Sequence, residues 1–478
     1  MNNTVTFQNK SDSHVDFFLA IAVVVFFFNL LSQIVALPVQ IVLLFYALTR
    51  FDVRYLSAIF VLTLDKSYFP YFEADLIKID ILFSLSIPYI VVIFCFLISW
   101  WGLLQRKFDA KIRLLFVLWL VALVFAFILS WSARETVSYW QAPISLTVCL
   151  GLYFWGILIG KSWNSGKEYF CKRLILILSP LSVLWSLGWF RIPSFSLQVM
   201  VVCLTMTCFY ILSLRKWLLW VMPGFVSAIY YVFFGSSTYI MDSSYFGEGI
   251  SAQISTFGTI FNFLFGLGLA YTIITMRGSR RILKMVPYIS VCASVVIILY
   301  AVGRYRETLG KDVQSQFITL RERFESKLIG DRGAVWSQGV EDMFMPPYFF
   351  KRMEDSLEYG PQGSFQMKCQ PHNQYLTLIV EDGWILGNVL AFFLLFFFIK
   401  SFDIISKQDS CIILGSVLLS SMGAIYMSVG LVGQSLLGTL FCGNAIATLV
   451  FPGIIYGAYN ESRTDTQSKM AMRFGNKP

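Results

Sequence analysis

One histidine and a group of arginines are the residues of this sequence best suited to chemistry. The chain contains only two histidines, His14 in the polar N-terminal tail and His372. Histidine has the unperturbed pKa nearest neutrality, so His372 is the candidate general base. Arg332 precedes Trp336 by four residues, so a helix would place both on the same side. A guanidinium in that position suits a phosphate or a lipid headgroup.

Arg332 and His372 belong to the most charged stretch of the chain, residues 303–375. Its 73 residues hold 20 of the 65 charged residues. A first amphipathic helix is predicted by apolar residues at helical spacing, namely Leu309, Val313, Phe317, Leu320, Phe324 and Leu328. A second is predicted over Asp331–Met343, with Val335, Trp336, Val340 and Met343 on its apolar side. Prolines and glycines from Pro346 to Gly363 then predict an irregular crossing.

Acidic and small residues follow His372. Glu381 comes nine residues later, which on a helix is a rise of about 13.5 Å and a turn to the opposite face. We therefore expect Glu381 to line a wet vestibule or to pair with loop arginines, and not to orient His372. Gly383 and Gly387 have the G-x-x-x-G spacing that allows close helix packing.

The rest of the chain must supply the elements that position this stretch, and its composition is typical of a membrane protein. Hydrophobic residues make up 57% of the 478 residues and charged residues 14%, with a mean hydropathy of +0.68. Soluble domains carry about 25% charged residues. The composition excludes a soluble enzyme, a disordered chain and a nucleic-acid binder. It predicts an all-α polytopic membrane protein with one large, partly helical outer loop.

Apolar windows of about 20 residues mark about fourteen candidate transmembrane helices, or about twelve if short neighbours are merged. Their approximate limits are 16–32, 34–49, 54–72, 80–101, 113–132, 143–160, 174–190, 194–213, 217–235, 255–276, 284–302, 376–400, 410–429 and 434–457. The predicted organisation is N-terminal transmembrane helices at 1–302, the outer loop at 303–375, C-terminal transmembrane helices at 376–457 and a cytoplasmic tail at 458–478.

Lysine and arginine predict the orientation of these spans. If the N-terminus is cytoplasmic, the inner segments hold 23 of the 37 Lys and Arg residues. The short outer connections hold 4 and the long loop holds the other 10. Cytoplasmic loops carry the excess of Lys and Arg in membrane proteins. Both termini are therefore predicted to be cytoplasmic, with residues 303–375 on the opposite side.

Together these features resemble the bacterial O-antigen ligase and polymerase superfamily. The resemblance rests on the polytopic frame, on one large outer loop before the last spans, and on Arg-x-x-x-Trp near the middle of that loop. It also rests on a closing His-Asn-x-x-Leu followed by Glu-x-Gly. The matching residues are Arg332, Trp336, His372, Asn373, Leu376, Glu381 and Gly383, with Gly387 as a further small residue.

The resemblance implies a metal-independent glycosyltransferase without a cofactor, in the bacterial inner membrane, with its active site on the periplasmic loop. The substrate is then a glycan carried on undecaprenyl pyrophosphate. A polymerase lengthens the O-antigen chain, whereas a ligase transfers the finished chain to the lipid A core. The resemblance assigns the catalytic role to His372 and pyrophosphate binding to Arg332. It implies membrane lipids and a chain-length regulator as further partners, and no nucleic acid.

Additional arginines are candidates for binding the departing pyrophosphate, whose negative charge guanidinium groups stabilise. Those of the loop are Arg304, Arg306, Arg321 and Arg323. Family members often carry Ser-Arg or Thr-Arg at the outer end of a span two crossings earlier, where this chain reads Gly235-Ser236-Ser237-Thr238. Arg191, an isolated cation on the predicted outer side, is the candidate substitute.

Three interpretations follow from the sequence. The first is a lipid-linked glycan transferase, with polymerase favoured over ligase. The second is a flippase for the same lipid-linked units, against which stand the lack of repeated halves and the near absence of charge within spans after residue 80. The third is a non-catalytic membrane scaffold in which His372 has no chemical role.

Overall fold

The computed structural model describes the chain in separate stretches and nearly all of the described residues are helical, which confirms the predicted all-α class. The described stretches are 13–25, 33–62, 141–186, 280–308, 332–344, 357–359, 365–367, 384–407 and 450–475, with single residues at 113, 114, 116, 117, 120, 121, 124, 208, 212 and 376.

The elements follow one another along the chain as helices with one short pair of strands. After the helical residues 13–25 they are α1 (Gln33–Arg50), a 3-10 turn (Val53–Tyr55), α2 (Leu56–Leu62), α3 (Gln141–Gly160), α4 (Trp163–Ser186), α5 (Arg280–Thr308), α6 (Arg332–Met343), β1 (Leu357–Tyr359), β2 (Phe365–Met367), α7 (Trp384–Ile405) and α8 (Phe451–Gly475).

The apolar runs predicted at 34–49, 143–160 and 284–302 are helical, as α1, α3 and α5. The predicted spans at 80–101, 217–235, 255–276 and 410–429 lie outside the described residues. Within the stretches that the structure describes, no helix combines the length and the apolarity that crossing a membrane requires.

Two helices extend past the limits predicted for their apolar runs, because hydropathy finds the end of an apolar run and not the end of a helix. α4 begins at Trp163, inside the predicted inner connection 161–173. The connection shrinks to Lys161 and Ser162, whose carbonyl accepts a hydrogen bond from the Gly166 N–H at 3.0 Å. Likewise α8 continues to Gly475, through the boundary predicted between the last span and the tail. Lys, Glu and Arg are good helix formers, so polar sequence does not stop either helix.

The loop holds a short hairpin where an irregular crossing was predicted. β1 and β2 pair antiparallel, with Leu357 opposite Met367 and Tyr359 opposite Phe365. Each strand reads apolar, polar, apolar, and five residues that include Gly360 and Gly363 connect them. This is the sequence pattern of a hairpin with a longer turn. The alternation of apolar and polar residues covers only three residues in each strand, which is why the sequence did not predict the hairpin.

A stripe of glycines brings α3 and α8 into backbone contact. Gly156 and Gly160 on α3 face Gly453 and Gly457 on α8, so each helix presents a G-x-x-x-G edge to the other. A Cβ atom on Gly156 would lie 3.0 Å from the Gly453 Cα, and one on Gly457 would lie 3.1 Å from the Gly160 Cα. Small residues at this spacing allow helices to approach closely, as they do in membrane proteins. We call this contact the glycine seam.

Neighbouring helices join the seam through specific contacts. The Trp155 indole N–H of α3 donates to the Leu48 carbonyl at the end of α1, at 3.3 Å. The Val53 N–H donates to the Ser162 hydroxyl at 3.0 Å, which ties the 3-10 turn to the α3–α4 connection. Tyr153 stacks on Phe397 of α7, with ring centroids 3.9 Å apart. These contacts place α1, α3, α7 and α8 in one packed group.

We expect Gly156→Ala to destabilise the protein, because the added methyl group would meet backbone atoms of α8 that cannot rotate away. Overpacking of this kind costs about 1–3 kcal/mol. Gly303→Ala is the matched control, since no atom lies within 4 Å of a Cβ placed there. Thermal unfolding of the purified protein should show a lower midpoint for Gly156→Ala only. Equal midpoints for the two variants would contradict the glycine seam.

Candidate functional site

The candidate site is built on the C-terminal part of α5 and on α6, which pack against each other. The helix predicted over Asp331–Met343 is confirmed as α6, Arg332–Met343. α5 continues to Thr308, six residues beyond the limit predicted for its apolar run. The charged stretch 303–375 therefore includes all of α6 and the last residues of α5. The first amphipathic helix predicted in this loop, over Leu309–Leu328, lies outside the described residues.

A small apolar cluster joins the two motifs on which the family resemblance rests. Trp336 is completely buried, and it shares this cluster with Ala301 of α5 and with Leu376, which is 7% exposed. Trp336 belongs to Arg-x-x-x-Trp and Leu376 to His-Asn-x-x-Leu, 40 residues later in the sequence. Ile298, Val302 and Val340 cover the cluster. The hydrophobic burial of one indole thus brings the two motifs together.

Gly333 lets α6 begin directly against α5. A Cβ atom at this position would lie 2.7 Å from the Tyr305 Cβ and 2.9 Å from the Ala301 carbonyl oxygen. Any larger residue would push the first turn of α6 away from α5. Arg332, the first residue of α6, immediately precedes this contact. The backbone of the predicted pyrophosphate-binding residue is therefore held at a defined place beside Tyr305.

Arg306 reaches across from α5 to α6. Its Nε donates to the Ser337 hydroxyl at 3.4 Å, and its Nη2 lies 3.4 Å from a carboxylate oxygen of Glu341. Ser337 is buried, whereas about half of the Arg306 side chain is exposed. Both contacts are long for hydrogen bonds of a guanidinium. Arg306 is thus oriented toward α6 while it keeps donors open to an anion from solvent.

Arg304 lies two residues before Arg306 on α5 but takes a different partner. Its Nη1 pairs with the carboxylate of Glu307 on the same helix at 2.7 Å. The hydrogen bond and the charge of Glu307 raise the pKa of Arg304 above its ordinary value. This pair is local to α5, so Arg304 is less well placed than Arg306 to act together with α6.

The residues predicted for the site divide into those inside and those outside the described part of the chain. Trp336, Leu376, Arg304, Arg306 and the backbone of Arg332 are described, and Gly387 is buried within α7. The predicted residues that lie outside the described part of the chain are His372, Asn373, Glu381, Gly383, Arg191, Arg321 and Arg323. Among the described residues, no group of His, Cys, Asp and Glu side chains converges as a metal site.

Sequence reasoning missed the contribution of Ser337 and Glu341. They face Arg306 across two helices, and a pairing over 31 and 35 residues leaves no periodic signal in one sequence. Gly333 was also missed, although a glycine inside a predicted helix usually has a packing reason. Val335 was assigned to the apolar side of α6 and is half-buried, while Trp336 forms the centre of that side.

No protein-family model, no curated protein and no solved structure matches this chain. The resemblance to the O-antigen ligase and polymerase superfamily therefore stays a prediction from the motifs.

We expect Trp336→Ala to loosen the candidate site, because it empties the centre of the cluster that joins α5, α6 and Leu376. Truncating a buried Trp costs about 3–5 kcal/mol. Gln338→Ala, on the exposed side of α6, should leave stability unchanged. Limited proteolysis and thermal unfolding of both variants provide the comparison. A Trp336→Ala protein as resistant to protease as the Gln338→Ala protein would rule out this role for the cluster.

Proposed function

We propose that this protein is a glycosyltransferase of the bacterial inner membrane. In this proposal it polymerises O-antigen, or a similar surface polysaccharide, from repeat units carried on undecaprenyl pyrophosphate, at the periplasmic face. The observation that carries the proposal is the packing of Trp336 against Leu376. His372 precedes Leu376 by four residues, and four residues of chain span at most about 14 Å. Arg332 precedes Trp336 by about one helical turn, so each predicted functional residue stands four positions before a member of this cluster.

The proposed chemistry needs one base and one anion-binding group. His372 removes the proton from the attacking sugar hydroxyl as that oxygen forms a bond to the anomeric carbon of the donor. The bond from this carbon to the pyrophosphate oxygen breaks, and the departing group carries its electron pair as negative charge. Arg332 stabilises this charge through paired hydrogen bonds, with Arg306 as a second guanidinium oriented toward α6.

Exposed apolar side chains support a membrane location. On helices that coincide with predicted spans, large apolar side chains stand exposed at helical spacing, including Val39 and Val42 of α1, Val117, Val121 and Val124, Tyr288, Val295 and Leu299 of α5, and Phe392 and Phe396 of α7. Soluble monomers rarely expose apolar patches of this extent. Lipid chains are the natural environment for such surfaces.

The pairing of segments is compatible with the predicted division of the connections between two sides. The Asp16 carboxylate pairs with Arg173 at 2.5 Å, and the 3-10 turn after α1 bonds to Ser162. Both contacts join segments that the count of Lys and Arg assigns to the cytoplasmic side. The Trp336 cluster and the Arg306–Glu341 pair join segments assigned to the outer side. Each of these four contacts joins two segments that are predicted to lie on the same side of the membrane.

We expect His372→Ala to abolish glycan transfer while the protein remains stably inserted, because the attacking hydroxyl loses its base. His14→Ala is the control, since it removes the only other histidine and His14 is exposed. Gel electrophoresis of lipopolysaccharide from a strain that carries each variant measures the outcome, with immunoblots for protein amount. Wild-type polymer with His372→Ala would remove His372 from the mechanism.

We expect Arg332→Ala to reduce transfer by about 100-fold, the usual effect of removing a group that stabilises transition-state charge. Arg332→Lys should restore only part of the activity, because an ammonium lacks the planar, two-pronged geometry of a guanidinium. Initial rates with a lipid-linked donor compare the two variants. Full activity of the lysine variant would mean that Arg332 makes no bidentate contact.

Deletion of the gene tests the function itself and separates its two forms. A single repeat unit on the lipopolysaccharide core identifies a polymerase. Bare core together with accumulated lipid-linked polymer identifies a ligase. Unchanged polymer and unchanged attachment would reject the glycosyltransferase proposal.

A further inference from the structure

Three lysines, one in the first turns of α5 and two near the C-terminal end of α7, surround one carboxylate at the opposite end of α5 from the Trp336 cluster. The Asp403 carboxylate of α7 lies 2.7 Å from the Nζ of Lys407 and 3.8 Å from that of Lys400. Lys284 of α5 approaches the same carboxylate at 3.6 Å. All three lysine side chains remain more than 40% exposed. We call these four residues the lysine cluster, and it carries two positive charges in excess.

Helix electrostatics explain only part of this arrangement. Lys400 and Lys407 lie near the C-terminal end of α7, where the helix dipole favours cations. Lys284, in contrast, lies near the N-terminal end of α5. Arg280, Arg281 and Lys284 fall within the first five residues of α5, and no acidic residue lies in its first turn. Cations at the N-terminus of a helix repel its dipole, so an anion is favoured at this place.

The single charge of Asp403 does not neutralise the three lysines around it. Burial raises the pKa of the Asp403 carboxyl, but the hydrogen bond and charge of Lys407, with the charges of Lys400 and Lys284, outweigh burial and lower the pKa below its ordinary value. Asp403 is therefore ionised at neutral pH and contributes a single negative charge. The remaining lysine charge faces solvent, within reach of an anionic group.

Exposed apolar side chains continue from the lysine cluster along both helices. On α7, Phe392 and Phe396 precede Lys400 at intervals of four residues, so they share its face. On α5, Tyr288 and Val295 follow Lys284 at intervals of four and seven residues and share the face of that lysine. These four side chains are between 40% and 63% exposed. Cationic groups at one end of two apolar stripes form an amphipathic surface.

We propose that the lysine cluster binds the phosphate headgroup of an anionic membrane lipid, whose acyl chains lie along the apolar stripes of α5 and α7. Lysines bind phosphate as point charges, and basic pockets between helix ends on the cytoplasmic side are suited to anionic headgroups. The proposal rests on the membrane location and orientation proposed above, but not on the glycosyltransferase activity. Its ligand differs from the lipid-linked substrate, since the site lies at the other end of α5 and α7.

Retention of anionic lipid during purification tests the proposal. The full-length protein is reconstituted in nanodiscs of phosphatidylethanolamine with phosphatidylglycerol and cardiolipin, then extracted, and the lipids that remain bound are quantified by mass spectrometry. We expect Lys284→Gln/Lys407→Gln to retain several-fold less anionic lipid than the wild type. Lys167→Gln/Lys172→Gln on α4 is the matched control, because it removes the same charge from the same predicted side. Equal retention by the two double variants would overturn the proposal.

A variant that is expected to bind more lipid distinguishes a loss of binding from a loss of folding. Asp403→Asn removes the carboxylate that competes with the lipid phosphate, so anionic lipid retention should rise. Unchanged or lower retention in this variant would also overturn the proposal. Normal retention by the His372→Ala protein would show that lipid binding and glycan transfer are separate properties.

A second arm distinguishes a lipid from free phosphate. Cardiolipin should raise the midpoint of thermal unfolding of the wild type, whereas inorganic phosphate and glycerol phosphate at millimolar concentration should not. Phe392→Ser/Phe396→Ser should weaken the effect of cardiolipin. Stabilisation by phosphate alone to the same extent would overturn the assignment of a lipid.

Discussion

The burial of the Trp336 side chain is the contact on which the organisation of the candidate site depends. Its indole occupies the space between α5, α6 and Leu376, so three segments far apart in sequence are fixed by one side chain. Gly333 makes this possible, because the absence of a side chain lets the first turn of α6 lie on the Ala301–Tyr305 surface. The charged side chains of this site lie around the hydrophobic Trp336 cluster. Arg306 is aimed at α6 by Ser337 and Glu341, and Arg332 stands at the start of the same helix.

Contacts at the two ends of the described helices have different chemical characters. At one end, beside the Trp336 cluster, Arg304 pairs with Glu307 and Arg306 with Glu341, so the charges balance. The half-exposed Arg306 side chain can still contact an anion that arrives from solvent. At the other end, the lysine cluster keeps an excess of positive charge beside exposed aromatic rings. The anion that we propose for each end of α5 differs accordingly, a transient pyrophosphate at the first and a resident lipid headgroup at the second.

How far the sequence predicts this molecule depends on the range of the interactions involved. The helix at Arg332–Met343 was predictable within one residue, because its buried positions repeat at the helical period. The start of α4 and the extension of α8 were not, because each depends on backbone hydrogen bonds that hydropathy ignores. The hairpin of β1 and β2 was missed since three alternating residues on each strand are too few to outweigh the glycines and prolines nearby. The partners of Arg306 and the meeting of Gly156 with Gly453 are contacts between distant segments, which a single sequence does not encode in any local pattern.

The glycine seam has a consequence for the order in which the protein is assembled. Gly156 and Gly453 are 297 positions apart, so α3 is synthesised long before its partner helix. At about 5–20 residues per second, ribosomes need roughly 15–60 s to make the intervening chain. During that time the surface of α3 around Gly156 and Gly160 cannot pack against α8. Assembly of this group of helices is thus completed only after α8 has been made, so α3 takes its final packing long after its own synthesis.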